Sequence, residues 1–415
     1  MHLLPVLAAL ILALPLVTQL DVAVEGPGWT SANAVRRLMA TQEGRVLDDK
    51  ELQRDLARLR TLAVFSDVVA HADGGHVNVE VTDRWSLFPV VGVRRGGGHT
   101  TSRLGVTDHD AFGQLITAYA ELTSNADLPF VARRSSDRIG NLVYLEVPRI
   151  LGTQVTPFLS WTRDFLDFAA FTNAGAGYVY DRARYAIRGE LRYELTALVV
   201  VLIGAEGRLD RYRTSDVTPA PGTPPAASDA RSLVAGAQFG YVEDFVSQQR
   251  GTELRITGEA ADSGPFSATL QARGYFVPSE RHNLCLQLQV QATTAQSESF
   301  LFRAGGLREI RGFIDAYFAG AFLARANAEW RIDVIRGKLG VPFIGQLALF
   351  ADGGYVAGRR GAVAGLDYEG PIVSAGAGVR GIPVPFAKAV GRIDAAFGLE
   401  PRRTFDLSFS GQQFF

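Results

Sequence analysis

From Trp85 to the C-terminus, apolar side chains recur at every second position in run after run. In LCLQLQVQA, Leu284, Leu286, Leu288, Val290 and Ala292 fall on one side and Cys285, Gln287, Gln289 and Gln291 on the other. In YAIRGELRYEL, Tyr185, Ile187, Leu191 and Tyr193 oppose Arg188, Glu190, Arg192 and Glu194, and FSATLQARGYF repeats the pattern. Successive side chains of a strand point to opposite faces of the sheet, so each run has one apolar and one polar face. A soluble sandwich alternates too, with its apolar face as core and its polar face in water. Runs of about ten residues or more with so charged a second face fit a membrane barrel better. There the apolar face meets lipid, the polar face meets a watery lumen, and closure satisfies every backbone group. The runs number about sixteen, an even count, as in single-chain bacterial barrels. The expected fold is therefore mostly β: an antiparallel transmembrane barrel over residues 85–415, preceded by one small α/β unit.

That unit spans residues 20–84. LDVAVEG reads as a strand, and WTSANAVRRLMA sets Val35, Leu38 and Met39 at helical spacing behind a Thr30 or Ser31 cap. DDKELQRDLARLRTL follows with Asp48 or Asp49 as cap and Leu52, Leu56 and Leu59 on one stripe. VFSDVVAHADGGHVNVEVTDR then gives two strands about the turn Asp73-Gly74-Gly75. The order is strand, helix, helix, strand, strand. Ahead of it, residues 1–19 are apolar over LLPVLAALILALPLV, shorter than the roughly 20 residues of a spanning helix, and read as an export signal cleaved near Thr18 to Leu20.

Composition removes several function classes. A net charge of -1 over 415 residues gives neither a basic face nor an acidic tail, so nucleic acid is not an expected partner. One cysteine rules out a disulfide framework and a cysteine-based zinc site. Without a G-x-S-x-G elbow, a P-loop or an H-E-x-x-H pair, neither enzymatic activity nor a cofactor is expected. HTTSRLGVTDHD gathers His99, Asp108, His109 and Asp110, but not at ligand spacing, and reads as a polar hairpin rather than a metal site. The Pro-rich TSDVTPAPGTPPAASDA (214–230) reads as a long extracellular loop.

Three further features carry a family resemblance. The order of elements in residues 20–84, with LRTLAVFSDV before the hairpin, resembles one POTRA domain. IRGF (310–313) and FADGG (350–354) resemble the V-R-G-F/Y and F-x-D-x-G signatures of a sixth extracellular loop and its facing strand, and the chain ends on aromatic Phe415. Together they resemble the POTRA-plus-barrel outer-membrane assembly and translocation family, whose named members include BamA and TamA. The resemblance implies a bacterial outer-membrane location with the POTRA domain in the periplasm. It implies unfolded outer-membrane or secreted polypeptides as partners, outer-membrane lipid around the barrel, and room for periplasmic accessory proteins. Insertion or translocation of clients is the function implied; a passive channel or structural barrel, and a pore dedicated to one exoprotein, stay open beside it.

Three candidate sites follow. In FLARANAEWRIDV, Trp330 and its apolar partners share a face, sending Arg325, Asn327, Glu329, Arg331 and Asp333 to the lumen; in QLALFADGG the same alternation sends Phe350 and Asp352 inward. If the loop carrying Arg311 folds into the lumen, its guanidinium fork suits pairing with Glu329 and Asp352. Gly312 would then allow the tight turn, Phe313 would pack on the wall, and Gly354 completes the resembling motif. At the seam, Pro89 has no N–H to donate, so pairing of the first strand with the last is expected to be poor. Pro89, Val91, Phe409 and Phe415 mark it, with Val91 and Phe409 in register or one pair apart. Finally Val64, Ser66 and Val68 share a phase with little charge around Asp67, which reads as an open edge that can bind extended clients.

Overall fold

The computed structural model describes residues 16–62, 64–96, 99–126, 139–171, 177–214, 226–295, 297, 299–306, 309–313, 318–358, 368–386 and 389–410. Its N-terminal unit holds β1 (Gln19–Glu25), α1 (Ala32–Leu38), α2 (Asp49–Thr61), β2 (Phe65–Asp73) and β3 (His76–Asp83). The sheet runs β1-β3-β2, with β1 parallel and β2 antiparallel to the central β3. Ser31 caps α1 by accepting the Ala34 N–H at 3.1 Å, and Asp48 caps α2 by accepting that of Lys50 at 2.9 Å. Val35, Leu38, Leu52, Leu56 and Leu59 bury their stripe against Val77, Val79 and Val81 of β3. Gly74 and Gly75 turn the hairpin at φ +55° and +93°, the left-handed values a two-residue turn demands.

Two details differ from the sequence reading. The folded unit reaches upstream of residue 20: Val17 is buried in its core and exchanges main-chain bonds with Arg45 and Gly44. The simple alternation from Val64 through Val68 is also broken, because a β-bulge between Phe65 and Asp67 sends Phe65 and Val68 to the core and leaves Ser66 partly exposed.

Sixteen strands then form one antiparallel sheet curled into a barrel. They are β4 (Leu87–Gly96), β5 (His99–Ala111), β6 (Ile116–Ala126), β7 (Ile139–Glu146), β8 (Val155–Phe171), β9 (Gly177–Thr196), β10 (Val199–Thr214), β11 (Ser228–Phe245), β12 (Gln248–Ala261), β13 (Phe266–Ser279) and β14 (His282–Thr293), followed after a long loop by β17 (Phe322–Leu339), β18 (Val341–Ala357), β19 (Gly370–Pro383), β20 (Gly391–Glu400) and β21 (Thr404–Ser410). Within the loop, β15 (Phe302–Ala304) and β16 (Phe318–Gly320) form a small separate hairpin. Burial is inverted relative to a soluble core: Trp330, Leu347 and Leu349 are exposed, while Glu329, Arg331 and Asp352 are buried. The lumen takes the charges and the outer wall the apolar side chains. Among the described residues no helix is long and apolar enough to cross a membrane. Most of the Pro-rich 214–230 segment lies outside the described residues, as do residues 1–15 and Phe415.

The N-terminal unit sits against the barrel end at which β4 begins. Leu115, in the β5–β6 turn, is buried in the unit's own core, and Ser31 donates its N–H to the Gly113 carbonyl at 2.9 Å. Glu194, at the end of β9, receives Arg149 at 3.2 Å and pairs with Arg58 of α2.

Candidate functional site

The β14–β17 loop enters the lumen, where Arg311 is 1 % exposed. Its Nε and Nη2 donate to the two oxygens of Asp352 on β18, both at 2.8 Å, and Nη1 donates to Glu329 Oε2 on β17 at 2.6 Å. Its main-chain N–H adds a bond to Asp352 Oδ2 at 3.1 Å, and its guanidinium lies 3.4 Å from the centroid of the Phe350 ring. A planar, always-charged fork is what this arrangement uses; a point charge could not meet two carboxylates and a ring face at once.

The turn beside it is held as closely. Gly312 has φ +87°, and a Cβ there would stand 2.8 Å from the Gly398 nitrogen of β20, so only glycine fits the approach. Thr404 Oγ1 donates to the Gly312 carbonyl at 2.5 Å. Phe313 meets Phe318 edge to face at 5.3 Å and occupies the space that a side chain at Gly398 would fill. Gly354 performs the same service for Ile310, whose Cδ1 would lie 2.6 Å from a Cβ at that position.

The structure thus brings Arg311, Gly312, Phe313, Glu329, Phe350, Asp352 and Gly354 into one cluster. It also adds groups that the sequence reading did not assign to the site. Arg331 donates to Glu329 Oε1 at 2.8 Å, and Arg380 of β19 reaches Glu329 Oε2 at 3.3 Å and pairs with Asp394 of β20. Asp394 lies 3.9 Å from Arg311 Nη1 and 3.8 Å from Arg392 Nε. Asn327 bridges Asp352 at 3.0 Å and the Glu309 carbonyl at 2.7 Å. Arg331 and Asn327 were already in the inward phase; Arg380 and Asp394 carry the same signal in GVRGI and GRIDAAF but no motif.

A second contact of the same loop lies on β9 and β10. Arg184 grips Asp210 with two bonds of 2.7 and 2.8 Å and donates to the Ser299 carbonyl at 2.9 Å. The Tyr212 hydroxyl bonds to Ser299 Oγ at 3.0 Å, and the Arg208 guanidinium lies 4.4 Å from the Phe300 ring centroid. The loop therefore joins β9–β10 to β17–β21 as a strap. Two cavities of about 800 and 360 Å³ flank the lumenal wall. The larger opens between α2 and the strands near the seam, and the smaller lies among Arg188, Glu190, Arg192 and Arg255.

At the seam, Phe409 stands opposite Arg95, the one β21–β4 pair among the described residues. Val91 is four positions along β4 from that pair, so the expected Val91–Phe409 register is corrected. The stagger between first and last strands is fixed by the shear accumulated around the whole sheet, which neither strand encodes alone. Pro89 lies on β4, which pairs regularly with β5 on its other side. The unit's β2 is an edge strand. Its Val68 N–H donates to Asp67 Oδ1 at 2.9 Å and its Val68 carbonyl accepts from Arg60 Nη2 at 2.7 Å, so the expectation of an edge with little charge to guard it is corrected at this position. Val64 accepts the Arg84 N–H at 2.9 Å and Ser66 Oγ donates to the Thr82 carbonyl at 3.2 Å. Asp108 accepts from Ser86 at 2.8 Å and Asp110 from Thr30 at 2.7 Å, so these carboxylates tie the hairpin to its neighbours; His109 faces Phe88 at 6.1 Å.

No protein-family pattern and no curated protein sequence matches the chain. Its fold does match solved barrels. BamA from Haemophilus ducreyi lacking POTRA domains 1–3 aligns over 94% of this chain and 84% of its own, at 15% identity and a TM-score of 0.54. CdiB from Escherichia coli aligns over 95% and 76% at 13% identity and a TM-score of 0.65. CdiB from Acinetobacter baumannii aligns over 96% and 73% at 13% identity and a TM-score of 0.61. The chain shares their fold, as the family resemblance of its sequence implies.

Proposed function

We propose that this chain is a bacterial outer-membrane protein, with residues 16–84 as a POTRA domain in the periplasm, that helps polypeptide clients to insert into or cross the membrane. The observation that carries the reading is the seam at which the barrel's first strand meets its last. Sixteen antiparallel strands curl round so that the last, β21, lies beside the first, β4, with Phe409 opposite Arg95. β4 carries Pro89, which has no N–H to donate, and a strand edge opened at such a seam is a template on which a client strand can form. The fold shared with BamA supports polypeptide handling. No catalytic step is part of the proposal.

A disulfide between Arg95→Cys and Phe409→Cys tests it in the full chain reconstituted in liposomes. The expected result is that oxidation slows insertion or translocation of unfolded barrel clients and reduction restores it, with the barrel folded throughout. Undiminished client handling in a fully linked sample would remove seam opening from the mechanism. The cavity of about 800 Å³ favours a second reading, a passive channel. A deletion strain separates the two: depleted levels of other barrel proteins support assembly, while unchanged levels with altered solute uptake support the channel.

A further inference from the structure

Beside the seam, at the end where the N-terminal unit docks, three aromatic side chains stand exposed with no core to enter. Phe112, at the tip of the β5–β6 turn, is 90 % exposed and sits at φ +60°, a left-handed conformation that a residue with a Cβ adopts rarely. Leu115 closes the same turn at φ +59°. Trp85 meets Trp29 of the N-terminal unit edge to face at 5.5 Å, and both rings are about two-fifths exposed. The Trp29 indole N–H is already satisfied by the Asp110 carbonyl at 3.0 Å, so the part of the ring left outside is apolar. Asp110 is two residues from Phe112, and Gly113 packs on the Trp29 carbonyl, so the three rings share one corner of the molecule.

That corner continues an apolar surface rather than standing alone. Trp85 has the same strand phase as Leu87 and Val91, exposed on the outer wall of β4, and Leu104 and Val106 are exposed on the neighbouring β5. Aromatic rings at the end of a barrel's apolar band are suited to the membrane interface, where one side of the ring is apolar and the other wet. A lone exposed Phe held in a strained turn points to a ligand outside the chain.

We propose that Trp29, Trp85 and Phe112 seat the N-terminal unit on the phospholipid headgroup layer next to the seam. The partner is the bilayer interface, and the inference rests on the proposed membrane-spanning role of the barrel. The unit would then be held from two sides: by its ion pairs to the barrel end at Glu194, and by its own aromatic contact with lipid at Trp29.

The test uses the full chain in liposomes of phosphatidylethanolamine and phosphatidylglycerol carrying acyl-chain-brominated lipid. One variant retains only Trp29 (Trp85→Phe, Trp161→Phe, Trp330→Phe) and another only Trp330, which is exposed on the outer wall. Expected is a loss of Trp29 emission comparable to that of Trp330, stronger with bromine placed shallow than deep, and reduced for Trp29 alone by adding Phe112→Asp. Quenching of Trp330 without quenching of Trp29 overturns the proposal and assigns the corner to a protein partner or to water. Quenching of neither means that the barrel does not sit in the bilayer, and both readings fall. Should the single-tryptophan chains fold poorly, Phe112→Cys can be spin-labelled in the otherwise unaltered protein, because the native Cys285 is buried. Greater relaxation by oxygen than by a water-soluble nickel chelate supports the seat; the reverse overturns it.

Discussion

The lumenal strap has two feet, and they are built on different principles. At the Arg311 foot, one residue makes four bonds to two carboxylates, three from its side chain and one from its main-chain N–H, all buried, and the adjoining turn tolerates no residue but glycine. At the Ser299 foot, the loop offers a main-chain carbonyl and a hydroxyl, and the specific chemistry belongs to the wall, in Arg184, Asp210, Tyr212 and Arg208. The first foot depends on what the loop residues are. The second depends mainly on where the loop backbone passes.

Variants can break this contrast, and the largest effect is expected from Arg311→Glu. It places a fourth carboxylate beside Glu329, Asp352 and Asp394, where breaking even one buried pair typically costs about 3–5 kcal/mol. The barrel is expected to insert still, with the loop open to protease and with lower heat resistance on gels and impaired client handling. Adding Asp352→Arg should recover part of the loss. Unchanged loop protection in Arg311→Glu would mean that this foot does not hold the strap.

Gly312→Val comes next. The left-handed backbone alone costs a side chain about 1–2 kcal/mol, and the contact with Gly398 adds to it. Proteolysis of the loop should rise although every charge is kept, and Gly312→Ala should do the same to a smaller extent. If both variants protect the loop like the parent, charge pairing rather than close approach seats it.

A moderate effect is expected of Arg184→Gln, which removes the bidentate grip on Asp210 and the bond to Ser299 but leaves Arg208 3.8 Å from that carboxylate. Smallest is Ser299→Ala, which forfeits one hydrogen bond, worth about 0.5–1.5 kcal/mol, and keeps the carbonyl contact. Both are read by loop proteolysis at graded temperature. Release in Arg184→Gln as complete as in Arg311→Glu would show that the two feet bear the strap equally.

The same contrast explains what was legible in the sequence. Period-two facing turned Glu329 and Asp352 inward, and the family resemblance of IRGF placed Arg311 and Gly312 beside them. Ser299 gave no such sign, since a carbonyl is present at every residue. Strand number and facing followed from alternation, as in Glu329, Trp330 and Arg331. The Phe409–Arg95 register did not, because it is a property of all sixteen strands taken together. The Ser66 bulge was hidden for a related reason: one extra residue shifts the phase without changing composition.

The Arg60 bond to the Val68 carbonyl bears on how the edge of β2 is coupled to the barrel rim. Arg60 lies 3.8 Å from Glu243 near the β11–β12 turn while it donates to the Val68 carbonyl, so one guanidinium spans the N-terminal unit and the barrel rim. A strand added to β2 at Val68 would have to take Arg60's place, and parting the unit from Glu243 would pull on that same group. Freeing the Val68 carbonyl and parting the N-terminal unit from the rim therefore draw on one and the same guanidinium.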